Sequence, residues 1–418
     1  MIDVEVITMR KTIRFIHCAD LHLDSPFKGL RHIPTNLLEE IQLSTYRVFQ
    51  RLIDTAIERK VDFILIVGDI FDGEQQSMRA HITLKNGFEK LAKHDIDVFL
   101  SYGNHDYLES HTLPRNYPDN VHIFESNEVT HFSFIKGNEK LANIYGFSYT
   151  KREVLTNKVT EYQRTEEDIF HIGTLHGSLG NEKNRDGHDV YAPFQLTELK
   201  ESKMDYWALG HIHKREELSH EPPIIYPGNT QGRSRKESGQ KGCYEVTLSA
   251  HHSEYTFLPL QEIRYENEVL DIADLENIYE LADAVDKLAE KTVNKYGKVF
   301  LSLSLKNKKN DWDMGRIQEL IDITNERFID EKNWVYIYRV AHLQEVKNHE
   351  IQPGNTFLVE LMEQVQAGDE QSMEELWLHP EGSKWLERLS EEELETMREE
   401  AEELLWNMLQ EGTGRNAN

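Results

Sequence analysis

Five short segments of the sequence carry side chains of the kinds that bind divalent metal ions. Aspartate, asparagine or histidine stands beside a glycine or in an i, i+2 pair, and such a pair points to one side of an extended chain. The candidate ligands are Asp20, His22, Asp69, Asn104, His176, His211 and His213. Two divalent ions about 4 Å apart can hold the attacking and leaving oxygens of a phosphate ester. These residue types therefore predict a dinuclear metal centre for phosphoester hydrolysis.

The candidate ligands divide into two shells around one shared residue. Two ions at that spacing need a common ligand, and a carboxylate bridges them most readily, so we assign Asp69 to the shared position. The predicted shells are Asp20, His22 and His213 for one ion, and Asn104, His176 and His211 for the other. Imidazole with carboxylate and amide oxygens suits Mn²⁺, Fe²⁺ or Zn²⁺. We expect two divalent ions, with Mn²⁺ as the first choice.

One histidine of the third segment remains outside both shells. We predict that His105 acts as the general acid that protonates the leaving oxygen. The next residue, Asp106, either orients His105 or fixes the loop through hydrogen bonds. Asp72 has the same two interpretations, a functional role or loop hydrogen bonding.

An apolar run precedes each of these segments and is typical of a buried strand. The runs cover residues 13–18, 63–67, 98–102, 172–175 and 206–209. Open α/β sheets place their ligand sites just outside the carboxyl ends of their strands. We therefore expect an α/β fold in which the five polar segments meet along one edge of a sheet.

The ordered series Asp-x-His, Gly-Asp, Gly-Asn-His-Asp, His-Gly and Gly-His-x-His resembles the calcineurin-like metallophosphoesterase superfamily. Residues 17–23 and 68–72 are similar to the SbcD-type DNA repair nucleases, and residues 23–27 and 226–233 to their YhaO-type bacterial branch. The resemblance implies a β-sandwich flanked by helices, and it carries the family's ligands and catalytic histidine onto the residues named above. It also implies DNA as substrate, an SMC-like ABC-type ATPase as partner and a possible homodimer.

Two stretches depart from the pattern of that family. Asp24 stands where many SbcD-type relatives have glycine, and Gln75, Gln76 and Ser77 replace a small or proline-containing stretch. Both stretches follow a ligand segment, so we expect them near the mouth of the site, where they affect the choice of substrate.

The chain divides into three predicted parts. These are a nuclease domain at 1–262, a small α+β domain at 263–345, and a linker with helices at 346–418. By the resemblance, the β-α-β-α-β second part caps the catalytic domain and orients DNA. In the tail, Ser390 and Glu393 form a capping box, and apolar residues recur at helical spacing. These helices either pack on their own protein or dock on the ATPase partner, and we favour docking.

The net charge of −27 is unusual for a protein that binds nucleic acid, because phosphate contacts come from lysine and arginine. One basic segment could supply them, and it contains Arg233, Arg235, Lys236 and Lys241. An exposed hairpin with solvated charges is the alternative. Three functions remain open. The first is a metal-dependent DNA nuclease, for which we expect exonuclease activity. The second is a phosphodiesterase or phosphatase for nucleotides or phosphoproteins, and the third is a scaffold for an ATPase.

No apolar run is long enough to span a bilayer, and no signal-peptide pattern is present. Cys18 and Cys243 lie in apolar, strand-like contexts, which indicates buried thiols in a reducing compartment. We expect a cytoplasmic protein without membrane contact. Translation could start at Met1 or at Met9, since the first residues lack a core pattern.

Overall fold

A computed structural model of the chain provides the coordinates. It describes residues 11–27, 33–73, 76–110, 116–165, 168–180, 190–307, 313–329 and 332–343. The chain separates into two compact units, 1–343 and 344–418. The second unit, which includes the predicted linker and C-terminal helices, lies outside the described residues.

The described residues form fifteen strands and five α-helices. The strands are β1 (Ile13–Cys18), β2 (Phe63–Val67), β3 (Asp97–Ser101), β4 (Val121–Ile123), β5 (Thr130–Lys136), β6 (Glu139–Gly146), β7 (Phe170–His176), β8 (Tyr206–Gly210), β9 (Glu216–His220), β10 (Pro223–Tyr226), β11 (Gly242–Leu248), β12 (Ser253–Pro259), β13 (Ile263–Asp271), β14 (Lys298–Lys306) and β15 (Val335–Leu343). The α-helices are α1 (Thr35–Arg59), α2 (Met78–Ala92), α3 (Leu196–Glu201), α4 (Ile278–Tyr296) and α5 (Met314–Phe328).

Two sheets form the catalytic half of the molecule. The first has the strand order β12-β11-β1-β2-β3-β4, with β1 to β4 parallel to one another. The second has the order β5-β6-β7-β8-β10-β9, with β6, β7, β8 and β10 parallel. In both sheets the antiparallel strands lie at the edges. The carboxyl ends of the parallel strands consequently carry the segments predicted to bind metal.

The two sheets pack face to face. Alternate residues of a strand face opposite sides, so Phe63 and Leu65 of β2 enter the core between the sheets, while Ile64 and Ile66 face α1 and α2. Burial on both faces explains why the strands read as continuous apolar runs. On the far side of the second sheet, Leu199 of α3 belongs to a third apolar cluster. The predicted β-sandwich flanked by helices is confirmed.

The predicted β-α-β-α-β order is also present after residue 262. Strands β13, β14 and β15 form a parallel sheet, and α4 and α5 cover one of its faces. On its other face, Phe300 and Trp334 share an apolar cluster with Leu37 and Ile41 of α1. The division at residue 262 stays a prediction, since this sheet belongs to the same compact unit as the sandwich.

Charged residues also connect this sheet to α1. Glu262 pairs with Lys298 at 3.0 Å and with Arg51 of α1 at 2.5 Å. Burial opposes the charge of Glu262, but the two cations outweigh it and lower the pKa of this carboxyl. The ion pairs therefore contribute to the attachment of the third sheet.

Among the residues that the structure describes, no helix is both long and apolar enough to cross a membrane.

Candidate metal centre

The segments that follow β1 and β2 run side by side. The backbone N–H of Asp20 donates to Gly68 O at 3.2 Å, and that of His22 donates to Asp69 O at 3.0 Å. Leu23 and Phe71 extend the pairing as a parallel bridge. This backbone pairing brings the first two predicted ligand segments together.

Four predicted ligands form one compact group. Candidate ligand atoms of Asp20, His22, Asp69 and His213 all lie within 4.8 Å of one another, and all four residues are buried. The Nε2 atoms of His22 and His213 face each other at 3.0 Å. Two buried imidazoles in this arrangement can both turn a lone pair towards a cation, and the nearby carboxylates match its charge. These four residues therefore fit a divalent ion. They are the three residues predicted for the first shell together with the shared Asp69.

The remaining predicted ligands lie on the other side of Asp69. Asn104 Oδ1 lies 3.0 Å from His176 Nε2, and Asp69 Oδ2 lies 3.4 Å from the same nitrogen. His176 Nδ1 donates to Val67 O at 3.0 Å, which directs Nε2 into the site. The ring of His211 packs 5.3 Å from that of His176, measured between centroids. The structure thus places Asp69 between the two predicted shells.

Gly103 makes the close approach between Asp69 and His176 possible. A methyl group at this position would lie 2.3 Å from Asp69 Oδ1 and 2.7 Å from His176 Nε2. Both distances are shorter than van der Waals contact, so a residue without a side chain is required between these two predicted ligands.

Several predicted ligands adopt a backbone conformation that L-amino acids rarely use. The φ angles are 53° at Asp20, 43° at His22, 49° at Asp69 and 92° at His211. Such conformations persist only where the surrounding structure imposes them, and they are common at functional sites. The surrounding fold therefore holds these residues in an unfavourable backbone conformation, which directs their side chains into the site.

Burial and mutual charge perturb the acids and bases of the site. Burial raises the pKa of Asp20 to about 7. Burial also opposes the charge on His176, but Asp69 and Asp20 outweigh it and raise the pKa of His176 to about 9. For Asp69, burial is outweighed by His176, His105 and His22, which hold its pKa well below the usual value. Asp69 is therefore an anionic centre surrounded by imidazoles.

His105 is held beside the shared carboxylate. Its backbone N–H donates to Asp69 Oδ1 at 3.0 Å, and its Nδ1 lies 2.9 Å from the carbonyl oxygen of Asp72. A carbonyl only accepts, so Nδ1 carries a hydrogen and Nε2 is left for proton exchange. His105 also forms a second group of potential ligand atoms with His22 and Asp72. Its predicted role as general acid stays a prediction.

Asp106 lies behind the site and makes loop contacts. Its carboxylate accepts hydrogen bonds from the backbone N–H groups of Gly103, Ile70 and Phe71 at 2.7, 2.6 and 3.3 Å. Burial raises its pKa to about 7. Of the two alternatives for Asp106, these contacts favour fixing the loop over a catalytic role.

Two of the four predicted phosphate contacts turn inward. The guanidinium of Arg233 forms an ion pair with Asp72, and Lys241 Nζ donates to the carbonyl oxygen of His213 at 2.8 Å. Lys241 is only 6% exposed. Both cations are thus occupied by neighbouring protein groups, and their positions argue against direct contact with DNA. For Arg235, partly exposed, and Lys236, exposed, phosphate contact stays a prediction.

The stretches that depart from the family pattern are joined to each other. Asp24 accepts from the backbone N–H and from the hydroxyl of Ser77, both at 2.8 Å, and from Tyr46. Ser77 also caps α2 by accepting from Ala80 N–H. Gln75 lies outside the described residues. Asp24 therefore fixes the start of α2, a role that glycine could not fill.

One supporting carboxylate, Glu237, was not among the predicted site residues. Its Oε1 lies 2.7 Å from His213 Nδ1, and burial is outweighed by His213 and Arg233, which hold its pKa well below the usual value. The available signal was a single acid inside an otherwise basic segment. A buried carboxylate needs a hydrogen-bond partner or an opposite charge, and here the partner is the predicted ligand His213.

Comparison with known proteins supports the same chemistry. Residues 13–215 match the family described as calcineurin-like phosphoesterases. The chain is 37% identical to the protein named uncharacterized metallophosphoesterase YhaO from Bacillus subtilis, over 96% of this chain and 99% of that protein. It is 27% identical to the DNA double-strand break repair protein Mre11 of Thermoplasma acidophilum, over 66% of this chain and 73% of the relative. It is 26% identical to Mre11 of Methanocaldococcus jannaschii, over 68% of this chain and 76% of that relative.

The match to the Bacillus protein covers nearly the whole chain, and four predicted ligands are buried together at Asp69. The chain belongs to the calcineurin-like phosphoesterase family and is a hydrolase of phosphoesters.

Proposed function

We propose that this hydrolase is a metal-dependent DNA nuclease that cleaves phosphodiesters in double-strand break repair. The observation that carries the proposal is the pair of ligand groups on either side of Asp69, with His105 beside them. Relatives named as double-strand break repair proteins align with two thirds of the chain, which supports DNA as the substrate. The mixture of imidazole, carboxylate and amide donors is compatible with Mn²⁺, which we propose as the native metal.

The residues of the site have separate tasks in this reaction. When bound, two divalent ions supply charge neutralisation at the phosphate and lower the pKa of water. Asp69 stands between the shells, and its Oδ1 holds the backbone of His105. The carbonyl of Asp72 orients the ring of His105, so that a proton on Nε2 is available to the departing oxygen. After His105 has given up this proton, its ring is neutral and Nδ1–H still donates to the carbonyl oxygen of Asp72.

An ATPase partner and a DNA-orienting third sheet complete the proposal. With a net charge of −27, the chain needs help in holding a polyanion. Residues 355–418 carry 17 acidic and 4 basic side chains, so this tail suits a protein partner better than DNA. We propose that it docks on an SMC-like ABC-type ATPase. Deletion of residues 355–418 should abolish co-purification with that ATPase, and unchanged association would exclude the tail as the docking segment.

The principal test is nuclease activity on end-labelled DNA. Purified protein with Mn²⁺ should degrade duplex or single-stranded DNA, and His105→Ala should bind Mn²⁺ but lose turnover. Arg327→Gln, which removes an exposed partner of Asp286 in α4, is a matched control that should keep full activity. Absence of cleavage on either DNA, with and without the ATPase, would refute the nuclease assignment.

A second candidate is a hydrolase of small phosphoesters or of phosphoproteins. The acidic charge favours it, since a small substrate needs no extended basic surface. Under this alternative the enzyme would turn over a nucleotide, a phosphoprotein or bis(4-nitrophenyl) phosphate with Mn²⁺ but leave both DNA substrates intact.

A further inference from the structure

Two carboxylates stand behind two ligand histidines. Asp72 Oδ1 lies 3.2 Å from His22 Nδ1, and Glu237 Oε1 lies 2.7 Å from His213 Nδ1. On the opposite side of each ring, the two Nε2 atoms face each other at 3.0 Å. Each ring therefore has a carboxylate close to its Nδ1 atom, through a hydrogen bond at His213 and through an ion-pair contact at His22, while both Nε2 atoms face the candidate metal position. Histidine ligands are commonly oriented in this way by a group on the other ring nitrogen.

One arginine connects the two carboxylates. Arg233 Nη1 forms an ion pair with Asp72 Oδ1, and Arg233 Nη2 lies 3.7 Å from Glu237 Oε1. The backbone N–H of Arg233 also donates to Glu237 Oε2 at 2.6 Å. Only 15% of the arginine side chain is exposed. Asp72 and Glu237 belong to distant parts of the sequence, so Arg233 fixes the distance between two segments that each support one ligand.

The planar guanidinium suits this position. It carries several N–H groups in a fixed fork and can address two carboxylates at once. The ammonium group of lysine is a compact charge that reaches one carboxylate well and the other poorly. The geometry thus distinguishes arginine from lysine even though both neutralise one negative charge.

The segment that carries Arg233 is itself anchored to the third sheet. Gln231 Nε2 donates to the carbonyl oxygen of Ile263 at 2.7 Å, and Gln231 Oε1 accepts from the N–H of Ile263 at 3.2 Å. The hydroxyl of Tyr265 donates to Arg233 O at 3.4 Å. Both partners belong to β13, so the first residues of the third sheet support the arginine from outside the metal centre.

We propose that Arg233 is a positioning residue that pre-aligns His22 and His213 for the metal through Asp72 and Glu237. The inference rests on the metal site of the proposed function but is independent of the DNA substrate. Loss of a supporting group behind a metal ligand commonly reduces metal affinity 10- to 100-fold. We expect a reduction of this size for one of the two ions, because the His176 side of the site does not depend on Arg233.

The test is titration of the metal-free full-length protein with Mn²⁺ by calorimetry. Arg233→Gln should weaken one binding event about 10- to 100-fold, and Arg233→Lys should lie between it and the wild type. Arg327→Gln, the control already described, should bind Mn²⁺ as the wild type does. Hydrolysis of bis(4-nitrophenyl) phosphate by Arg233→Gln should recover when Mn²⁺ is raised by the same factor, whereas general structural damage would not respond to metal.

Each outcome bears on the proposal. Wild-type Mn²⁺ affinity in Arg233→Gln would overturn it, as would a hydrolysis defect that excess Mn²⁺ leaves unchanged. If Arg233→Gln does not fold, a folded Arg233→Lys with wild-type affinity would overturn it. An additive loss on combining Arg233→Gln with Asp72→Asn would also count against it, since the arginine is inferred to act through that carboxylate. A wild-type protein that binds no Mn²⁺ would refute the proposed function and this inference with it.

Discussion

Gly103→Ala is a direct test of the packing between the two metal positions. The φ angle of Gly103 lies outside the left-handed region, so alanine is compatible with the backbone. Its methyl group would nevertheless lie 2.3 Å from Asp69 Oδ1 and 2.7 Å from His176 Nε2. The substitution therefore acts on two predicted ligands without requiring a left-handed backbone conformation of alanine.

The size of the effect follows from these distances. The added methyl group would lie 2.3 Å from Asp69 Oδ1, and an ordinary contact is about 3.4 Å. Asp69 Oδ1 must therefore move by about 1.1 Å, or Asp69 and His176 must share a shift of similar size. Metal–ligand bonds in such sites span only about 2.0–2.2 Å, so a displacement near 1 Å removes a ligand from its ion. We expect Mn²⁺ affinity to fall about 100-fold, or roughly 2.7 kcal/mol. Overpacking should cost a further ~1–3 kcal/mol of folding stability.

Calorimetric titration with Mn²⁺ and hydrolysis of bis(4-nitrophenyl) phosphate would measure the effect, and urea unfolding would report the stability. Gly73→Ala is the matched control, since no described atom lies within 4 Å of the added methyl and its backbone is equally permissive. It should bind Mn²⁺ normally. Wild-type metal affinity and turnover in Gly103→Ala would refute the reasoning, because the collision would then have been absorbed without moving a ligand.

Three further predictions concern other parts of the chain. Asp69→Ala should lose Mn²⁺ binding and turnover together, whereas His105→Ala should lose turnover alone; calorimetry and hydrolysis assays separate the two outcomes. Burial raises the pKa of both thiols, Cys18 and Cys243, so neither should react with a disulfide reagent at pH 8 until the protein unfolds, and fast labelling would contradict their burial. The pKa of Glu262 is lowered on folding, so its charge stabilises the fold above its usual pKa of about 4.5, and this contribution is lost as the pH falls further. Glu262→Gln should cost about 0.5–1 kcal/mol in urea unfolding at pH 7 and less at pH 4, and an equal loss at both pH values would argue against the ion pairs.

The strands near the site were predictable because burial on both faces leaves a strong local signal. The predicted runs 13–18 and 63–67 coincide with β1 and β2. For β3, the predicted run 98–102 ends one residue beyond the observed Asp97–Ser101, since hydrogen bonding to neighbours sets strand ends. The polar residues after these strands were then expected to meet, because parallel strands deliver their carboxyl ends to one edge.

The support behind the ligands was not predictable in the same way. Arg233 and Asp72 are 161 residues apart, and no periodicity links them. Whether an arginine faces solvent or a buried carboxylate depends on which segments the fold brings together. The basic segment was therefore predicted either to contact phosphate or to form an exposed hairpin, whereas Arg233 and Lys241 bind protein groups of the site.

The position of β1 in the first sheet has a consequence for synthesis of the protein. Its neighbours are β2, which follows within a few dozen residues, and β11, which begins at Gly242. A ribosome adding about 5–20 residues per second needs on the order of 10–45 s to reach β11 after completing β1. During that interval one hydrogen-bonding edge of β1 is open, and an exposed edge invites pairing with another chain. Nascent chains of this protein should therefore depend on chaperones most strongly before Gly242–Leu248 emerges.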